Sequence, residues 1–197
     1  MAKTETDRRV LRTRALLLDA FRSLMIERSY DTITVQHLLE RGGVGRATFY
    51  AHFRDKEELL VTSLERLRIS LRSAWKSANV DGRTGEPLGF VLPFFQHLDS
   101  HRRIYHLSIA HARHAPVETY IRRMLSNLVR EDLLSRRLIR PRGTSSEAVV
   151  EYAAAAIWSL AAWWMSSRAR LSPEELDRLA RTLVLPGLEA TLSLRPG

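Results

Sequence analysis

Apolar residues recur at spacings of three and four along most of the chain, which is the period of one face of an α-helix. The first such stripe predicts a helix over about residues 7–28 and consists of Val10, Leu17, Phe21 and Leu24. Strand signals are nearly absent, because no Asn-Gly or Asp-Gly dipeptide joins two alternating segments. The pattern therefore predicts an all-α fold of about nine helices.

Two very short helical patterns follow, over about residues 35–40 and 46–51, and Arg41-Gly42-Gly43-Val44-Gly45 separates them. Two short helices around a glycine turn are typical of a helix-turn-helix. Thr34 is placed to cap the first of them. A long helix is predicted next, with Asp55 as its cap, continuing to about Ala78.

The remaining pattern predicts further helices, each with a recognisable start or stop. Pro87 is expected to begin one that Pro93 bends or ends early. Another covers about residues 101–110, and Pro116 starts a longer one. An apolar helix is predicted from about Ser145 to Ser166, and the last helix follows Ser172 and is ended or kinked at Pro186-Gly187.

The short helix after the glycines has two chemically different faces. Phe49 and Phe53 share the face expected to turn inward with Val35, Leu38 and Val44. The other face lacks bulky aliphatic residues and suits the major groove of DNA, where Arg46 can donate two bonds to a guanine edge. Gly45 and Ala47 permit close approach of the backbone, and Thr48, Tyr50 and Lys56 carry donors suited to phosphates.

The segment from Thr34 to Lys56 resembles the DNA-binding domain of the TetR/AcrR family of bacterial transcriptional regulators. The matching residues are Thr34-Val35, Leu38-Leu39, Gly42-Gly43-Val44-Gly45, Ala47-Thr48-Phe49-Tyr50, His52-Phe53 and Lys56-Glu57-Glu58-Leu59-Leu60. The resemblance implies that phosphates are held by Thr34, Thr48, Tyr50, His52 and Lys56, and that Arg46 faces bases with Gly45 and Ala47. Gly45 replaces the usual serine, which removes a capping hydroxyl, and Leu39 and Gly42 replace common alanines.

The resemblance divides the chain into a DNA-binding domain, residues 1–54, and an effector-binding and dimerisation domain, residues 55–197. It implies a ligand-responsive repressor whose partners are operator DNA, a second copy of the chain and an unknown small molecule. The resemblance also implies a protein of the bacterial cytoplasm that is associated with the nucleoid when it binds DNA. The helix from Ser145 supports dimerisation independently, because it is apolar on more than one face. Two recognition helices about 34 Å apart in a twofold dimer would read a palindromic operator.

Two further residue sets are candidates on these grounds. The candidates for the effector pocket are Phe94, Phe95, Tyr105, Trp158 and Trp164. The candidates for the dimer interface are Tyr152, Ala155, Ala156, Trp163, Leu176, Leu179 and Leu183. Core packing is the common alternative for any of these aromatic residues.

Composition narrows the class of protein further. The chain has no cysteine, which excludes disulfide scaffolds, thiolate zinc sites and a cysteine nucleophile. Its formal charge of +9 suits a partner that carries phosphates, although most of the surplus lies between His101 and Arg142 rather than near the helix-turn-helix. Its start shows no secretory signal pattern, and the apolar run from Ala153 to Met165 is too short to cross a membrane, so no membrane partner is expected.

Several alternatives stand beside this interpretation. No phosphate loop, nucleophile elbow or H-E-x-x-H motif indicates an enzyme, and no cofactor is implied. A helical adaptor could use Arg46 and Lys56 to contact an acidic protein.

The basic middle segment, with Arg102, Arg103, Arg122 and Arg123, could favour an anionic effector or form a solvated face. The histidines that could suggest a metal lack completing ligands, and they are His101, His106, His111 and His114. An arm with Lys3, Arg8, Arg9 and Arg12 could contact the DNA backbone or remain in solvent.

Overall fold

A computed structural model describes residues 2–80, 87–102, 104–105, 115–140 and 144–193. Within these ranges the regular structure is helical and contains no strand, which confirms the all-α class. The helices are α1 (Ala2–Glu27), a 3-10 turn (Tyr30–Thr32), α2 (Val35–Gly42), α3 (Arg46–Tyr50), α4 (Lys56–Val80), α5 (Val91–Ser100), α6 (Ala115–Ser135), α7 (Thr144–Ser166) and α8 (Pro173–Ser193).

Prolines limit the helices less than the sequence predicts. Pro87 does not begin α5, which starts at Val91, and Pro93 does not end α5 early, because Pro93 lies in its first turn, where a backbone N–H has no acceptor within the helix. Pro186 does not end the last helix, which continues to Ser193. Val184 and Leu188 are buried on either side of this proline, so packing holds the helix together across the missing hydrogen bond.

The head, which we define as α1 to α3, forms around the residues that the apolar pattern selects. Leu17, Phe21 and Leu24 of α1 are buried, and α1 packs on α2 and on the start of α4. Val10 is an exception, because it lies exposed before the point where α1 meets the other helices. Gly43 ends α2 with a φ of 61°, a conformation that L side chains adopt at a cost.

The body, from α4 to α8, is continuous with the head through one hydrophobic core. Leu60, Leu64, Leu67 and Leu71 of α4 are buried in this core, and α4 packs on α5 and α6. Helices α6, α7 and α8 pack in sequence, and α8 also packs on α5. The long helix α4 therefore joins the head to the body without an intervening linker.

Helix α7 carries the most apolar sequence of the body. Its buried stripe is as predicted at Val150, Ala153, Ile157 and Trp164, whereas Leu160 is only partly buried. The segment Ser146–Ser166 also has the length and hydropathy of a membrane span, and 44% of that window is buried inside the fold. Such a helix is equally typical of the core of a helical protein.

Some expectations concern residues outside the described ranges. The predicted helix beyond Tyr105 lies there, as do Arg103, His106, His111 and His114. The side chain of Lys3 also lies outside the described part. Among the described residues, no group of three or more His, Cys, Asp and Glu could hold a metal ion.

Candidate nucleic-acid interface

Helix α3 separates one buried aromatic residue from an exposed polar face. Phe49 is fully buried, and its ring lies 6.3 Å from that of Phe53 between centroids. The side chains on the remaining face are exposed, and they are Arg46, Ala47, Thr48 and Tyr50. Gly45, directly before the helix, is also exposed. The structure therefore places these five predicted contact residues together on one accessible surface, which we call the α3 face.

Contacts from α1 hold the end of α3 in place. Arg14 Nη1 donates to the carbonyl of His52 at 2.8 Å, and its guanidinium lies 4.3 Å from the centre of the Phe53 ring. The hydrogen bond to His52 and the cation–π contact with Phe53, the next residue, restrict the rotation of α3 about its own axis. His52 itself is half-buried at this junction.

A second clamp joins α2 to α1. Arg41 donates two hydrogen bonds to the Glu27 carboxylate, at 2.8 Å and 2.6 Å. This pairing is bidentate, and it holds the pKa of Glu27 below its usual range. The two clamps together fix both helices of the helix-turn-helix on α1.

Thr34 caps α2 and remains exposed. Its Oγ1 accepts from the backbone N–H of His37 at 3.3 Å, while its own N–H donates to His37 Nδ1 at 3.2 Å. The hydroxyl proton is not used in the cap, so Thr34 can still donate to a phosphate. Helix α3 has no such cap, because Gly45 offers no side-chain hydrogen bond.

Gln36 is a neighbour of the α3 face that the sequence analysis did not select. Its Oε1 accepts from Arg46 Nη2 at 3.4 Å, and its Nε2 donates to Glu40 Oε1 at 2.9 Å. These bonds orient the Arg46 guanidinium across the gap between α2 and α3. Its position in the sequence could have indicated this role, because Gln36 lies in the first turn of α2 and Arg46 lies in the first turn of α3.

Lys56 is more engaged within the protein than the sequence indicates. Its Nζ donates to the carbonyls of Tyr30, Ile33 and Asp31 at 3.0, 2.9 and 3.2 Å. It also lies 4.5 Å from the centre of the Tyr30 ring, and burial lowers its pKa. Three carbonyls account for the three donors of an ammonium group, so Lys56 holds the 3-10 turn before α2 in place.

We expect Lys56→Met to lower the free energy of unfolding by about 1.5–3 kcal/mol, because hydrogen bonds to a charged group are lost while the apolar stem remains. Chemical denaturation monitored by circular dichroism measures this change. Lys76→Met on the exposed side of α4 is the matched control and should stay within about 0.5 kcal/mol of the parent. Equal stability of the Lys56 variant and the parent would contradict the anchoring role.

Carboxylates occupy the N-terminus of α4. Asp55 Oδ1 accepts from the backbone N–H of Glu58 at 2.8 Å, and Glu58 Oε2 accepts from the backbone N–H of Arg54 at 2.8 Å. The latter bond lowers the pKa of Glu58. The predicted capping by Asp55 is thus present, and any phosphate near this helix end has these carboxylates as neighbours.

Among the described residues, the candidates for the effector pocket have different surroundings. Phe94, Phe95 and Trp164 are fully buried in the core, and the Phe95 and Trp164 rings meet edge to face at 6.2 Å. Trp158 donates its indole N–H to Glu118 at 3.0 Å. Tyr105 lines a cavity that lies between head and body.

That cavity, which we call the junction cavity, has a volume of about 300 Å³. Its head wall is α1, its body walls are α5, α6 and residues 104–105, and α4 runs along it. The polar end of the junction cavity is a histidine pair, His97 and His101, whose rings stack at 4.3 Å. His97 Nε2 lies 3.1 Å from the Tyr105 hydroxyl, and the His101 Nδ1–H donates to the carbonyl of His97 at 3.0 Å.

The pKa of His97 makes a pH-dependent prediction. Burial, aided by the neighbouring His101, lowers the pKa of His97 from 6.5 to about 4. Between these pH values the unfolded chain binds a proton that the folded chain does not, so stability falls as the pH decreases through this window. Between pH 7 and pH 4.5 we expect this group to remove about 2 kcal/mol from the free energy of unfolding.

The measurement compares the parent with His97→Gln in urea at both pH values. Carboxylates titrate alike in both proteins, so the expected result is that the parent loses about 2 kcal/mol more than the variant on acidification. Parallel losses would contradict the burial of a neutral imidazole.

The candidates for the dimer interface divide into surface and core. Tyr152, Trp163 and Leu183 are 55%, 47% and 58% exposed, which is unusual for large apolar residues on neighbouring helices. Ala155, Ala156 and Leu179 are partly buried. Leu176 is fully buried within the chain's own core and offers no surface to a partner. We call the exposed apolar surface of α7 and α8 the α7–α8 face.

The comparisons with known proteins address the same region. Residues 17–62, from the middle of α1 into α4, match the description "Bacterial regulatory proteins, tetR family". This segment of the chain therefore matches the tetR family. The match covers the α3 face and every residue that the sequence analysis placed near DNA except Lys3, Arg8, Arg9 and Arg12 in the arm.

Individual relatives agree with this assignment. An uncharacterised HTH-type transcriptional regulator of Bacillus subtilis, YxbF, is 43% identical over 63 residues. That match covers 32% of this chain and 17% of the length of the relative. The likeness to this curated relative is therefore confined to a region of the size of the head and the start of α4.

Solved structures resemble this chain over nearly its full length. A TetR transcriptional regulator from Streptococcus agalactiae has a TM-score of 0.66 at 24% identity, covering 92% of this chain and 98% of that one. The structure of RolR in complex with resorcinol has a TM-score of 0.61 at 22% identity, covering 96% and 97%. These likenesses confirm the fold, and the matches are to transcriptional regulators rather than to enzymes.

Proposed function

We propose that this protein is a ligand-responsive repressor of the tetR family that binds a palindromic operator as a homodimer. The observation that carries the proposal is the α3 face, where an arginine, a threonine and a tyrosine are exposed on a helix whose Phe49 is fully buried. A short helix held in this way can enter a major groove as a rigid unit. The proposed division of labour is residues 1–54 for DNA binding and residues 55–197 for effector binding and dimerisation.

The proposed DNA contacts follow from the positions of the donors. Arg46, oriented by Gln36, reads a guanine, and Gly45 and Ala47 allow the backbone to approach the bases. Thr34, Thr48, Tyr50 and His52 contact phosphates and set the register. Lys56 contributes mainly by fixing the turn before α2, and its charge adds to the positive field at the phosphates.

The homodimer is supported by the α7–α8 face. Tyr152 lies beside α8, since a Cβ at Gly187 would be 3.9 Å from Tyr152 Cε1, so the exposed apolar surfaces of the two helices are adjacent. A second copy that buries the same face would satisfy twofold symmetry. The small-molecule effector is supported by the resorcinol bound to RolR and by the junction cavity in this chain.

Contacts between α4 and α6 support the proposed transmission. The Tyr120 hydroxyl donates to Glu57 at the start of α4, and Arg68 of α4 pairs with Glu131 of α6. Movement of α6 is thereby coupled to α4, whose first turn adjoins the helix-turn-helix. We propose that an effector shifts the population between two head spacings, one of which fits the operator. The protein acts in the cytoplasm, by blocking access of transcription to the bound DNA.

The proposal is tested by Arg46→Ala. Loss of one bidentate base contact should reduce discrimination between operator and random duplex by about 1–3 kcal/mol. Fluorescence anisotropy with DNA flanking the protein's own gene, and with random duplex of equal length, measures both affinities.

Arg168→Ala removes the same charge from an exposed site between α7 and α8 and serves as the control. It should leave the ratio of the two affinities unchanged. A ratio that is equally unchanged in Arg46→Ala would contradict base reading by α3. Affinity that does not fall with rising salt would contradict DNA binding itself.

A further inference from the structure

The junction cavity is bounded by both halves of the molecule. Leu18, Phe21 and Met25 of α1 form the head wall, and Val117 and Ile121 of α6 face them from the body. Leu60, Leu64 and Leu67 of α4 complete an apolar lining. A volume of about 300 Å³ is at the lower end of the range of small-molecule sites.

The two polar side chains of the lining that burial keeps uncharged near neutral pH are His97 and Tyr105. Burial keeps His97 neutral above about pH 4 and raises the pKa of Tyr105. The charged residues of the lining are Asp19 and Arg22, which pair with each other at 3.1 Å, and Arg66; all three side chains are exposed. An ionised ligand would lose hydration in this cavity without gaining an unpaired buried counter-charge.

We propose that the junction cavity binds an uncharged, mostly apolar small molecule with one hydroxyl or carbonyl group, which contacts α1 of the head and α5 and α6 of the body together. The hydroxyl or carbonyl bonds to the His97–Tyr105 pair, which contains both a donor and an acceptor. The apolar part lies against Leu18, Met25, Leu64 and Ile121. The proposal names the class of ligand for the ligand-responsive function above, and the regulatory effect of that ligand rests on the proposed function.

The position of the cavity explains how such a molecule would act. A ligand held inside the body alone must move α4 to reach the head, whereas a ligand in the junction cavity touches α1 directly. Its binding energy therefore depends on the separation of α1 from α5 and α6. A ligand with different affinity for two separations shifts the population between them.

Three naphthalene derivatives test the class of ligand. 2-Naphthol is neutral at pH 7, 2-naphthoate is an anion, and 2-naphthylmethylammonium is a cation on the same ring system. Equilibrium dialysis against the full chain should show saturable binding of 2-naphthol, at least tenfold tighter than binding of either ion. Equal or tighter binding of an ion would overturn the assignment of an uncharged ligand.

The methionines report the place of binding. Met25 lines the junction cavity, whereas Met165 is buried but absent from its lining. With ¹³C-methyl methionine, 2-naphthol should shift the Met25 methyl signal through its ring current and leave Met165 in place. Binding that shifts Met165 but not Met25 would overturn the location.

Ser63→Trp fills the cavity from α4, and Val61→Trp places the same side chain two residues away on the exposed surface. The first should weaken 2-naphthol binding at least tenfold, and the second should leave it unchanged. Equal affinity of both variants would overturn the site. If Ser63→Trp does not fold, the Met25 signal of the parent decides the question.

These measurements contain no DNA, so they separate the two claims. Binding of 2-naphthol at Met25 by a protein that shows no operator preference would uphold the site and refute the proposed function. Operator binding by a protein that does not bind 2-naphthol at Met25 would uphold the proposed function and refute the site.

Discussion

Phe49→Ala should lower the free energy of unfolding by about 3–5 kcal/mol, the cost of replacing a fully buried phenylalanine. Phe49 is the one buried side chain of the five-residue helix α3, and its ring meets Phe53 and Tyr50. A helix of this length has no stability of its own, so its position depends on packing. Loss of the ring should release α3 from α1 and remove sequence-specific DNA binding together with stability.

Chemical denaturation measures the stability of this variant, and anisotropy measures its affinity for DNA. Thr48→Ala alters the adjacent exposed position and should change stability by no more than about 0.5 kcal/mol. A Phe49→Ala protein that is as stable as the Thr48→Ala protein would show that α3 is not held by this ring.

Trp163→Asp should dissociate the proposed homodimer and reduce operator affinity by at least about 100-fold. Buried aromatic residues dominate the energetics of interfaces, each contributing about 2 kcal/mol or more, and a carboxylate in the same place would add an unpaired buried charge. A monomer can engage only one half-site, so the effective concentration of the second head is lost.

Sedimentation equilibrium of the Trp163→Asp variant should give the mass of the 22.6 kDa chain, while the parent gives twice that mass. Ile69→Asp introduces the same charge on an exposed apolar residue of α4, away from the α7–α8 face, and should remain dimeric. A dimeric Trp163→Asp protein would place the interface elsewhere.

The sequence predicts the helices and the exposed side of α3 well because both depend on local patterns. The three-four spacing of Leu17, Phe21 and Leu24 identifies the buried side of α1, and the glycines after Arg41 identify the turn. The inward position of Phe49 follows from helical periodicity alone.

Other features depend on long-range contacts that spacing does not show. Lys56 reaches carbonyls more than twenty positions earlier in the chain, so its role as an anchor becomes visible only in three dimensions. The persistence of α8 through Pro186 reflects tertiary packing that overrides local propensity. Phe94, Phe95 and Trp164 are fully buried, and spacing along the sequence does not show whether such aromatic residues line a pocket or fill a well-packed interior.

The central claim, that the α3 face reads bases in a paired molecule, is tested most directly by selection from a library of random duplexes. The full chain should enrich an inverted repeat in low salt, and Arg46→Ala should lose preference at one symmetric position of each half-site. Recovery of no common sequence by the parent, or of the same sequence by both proteins, would contradict it.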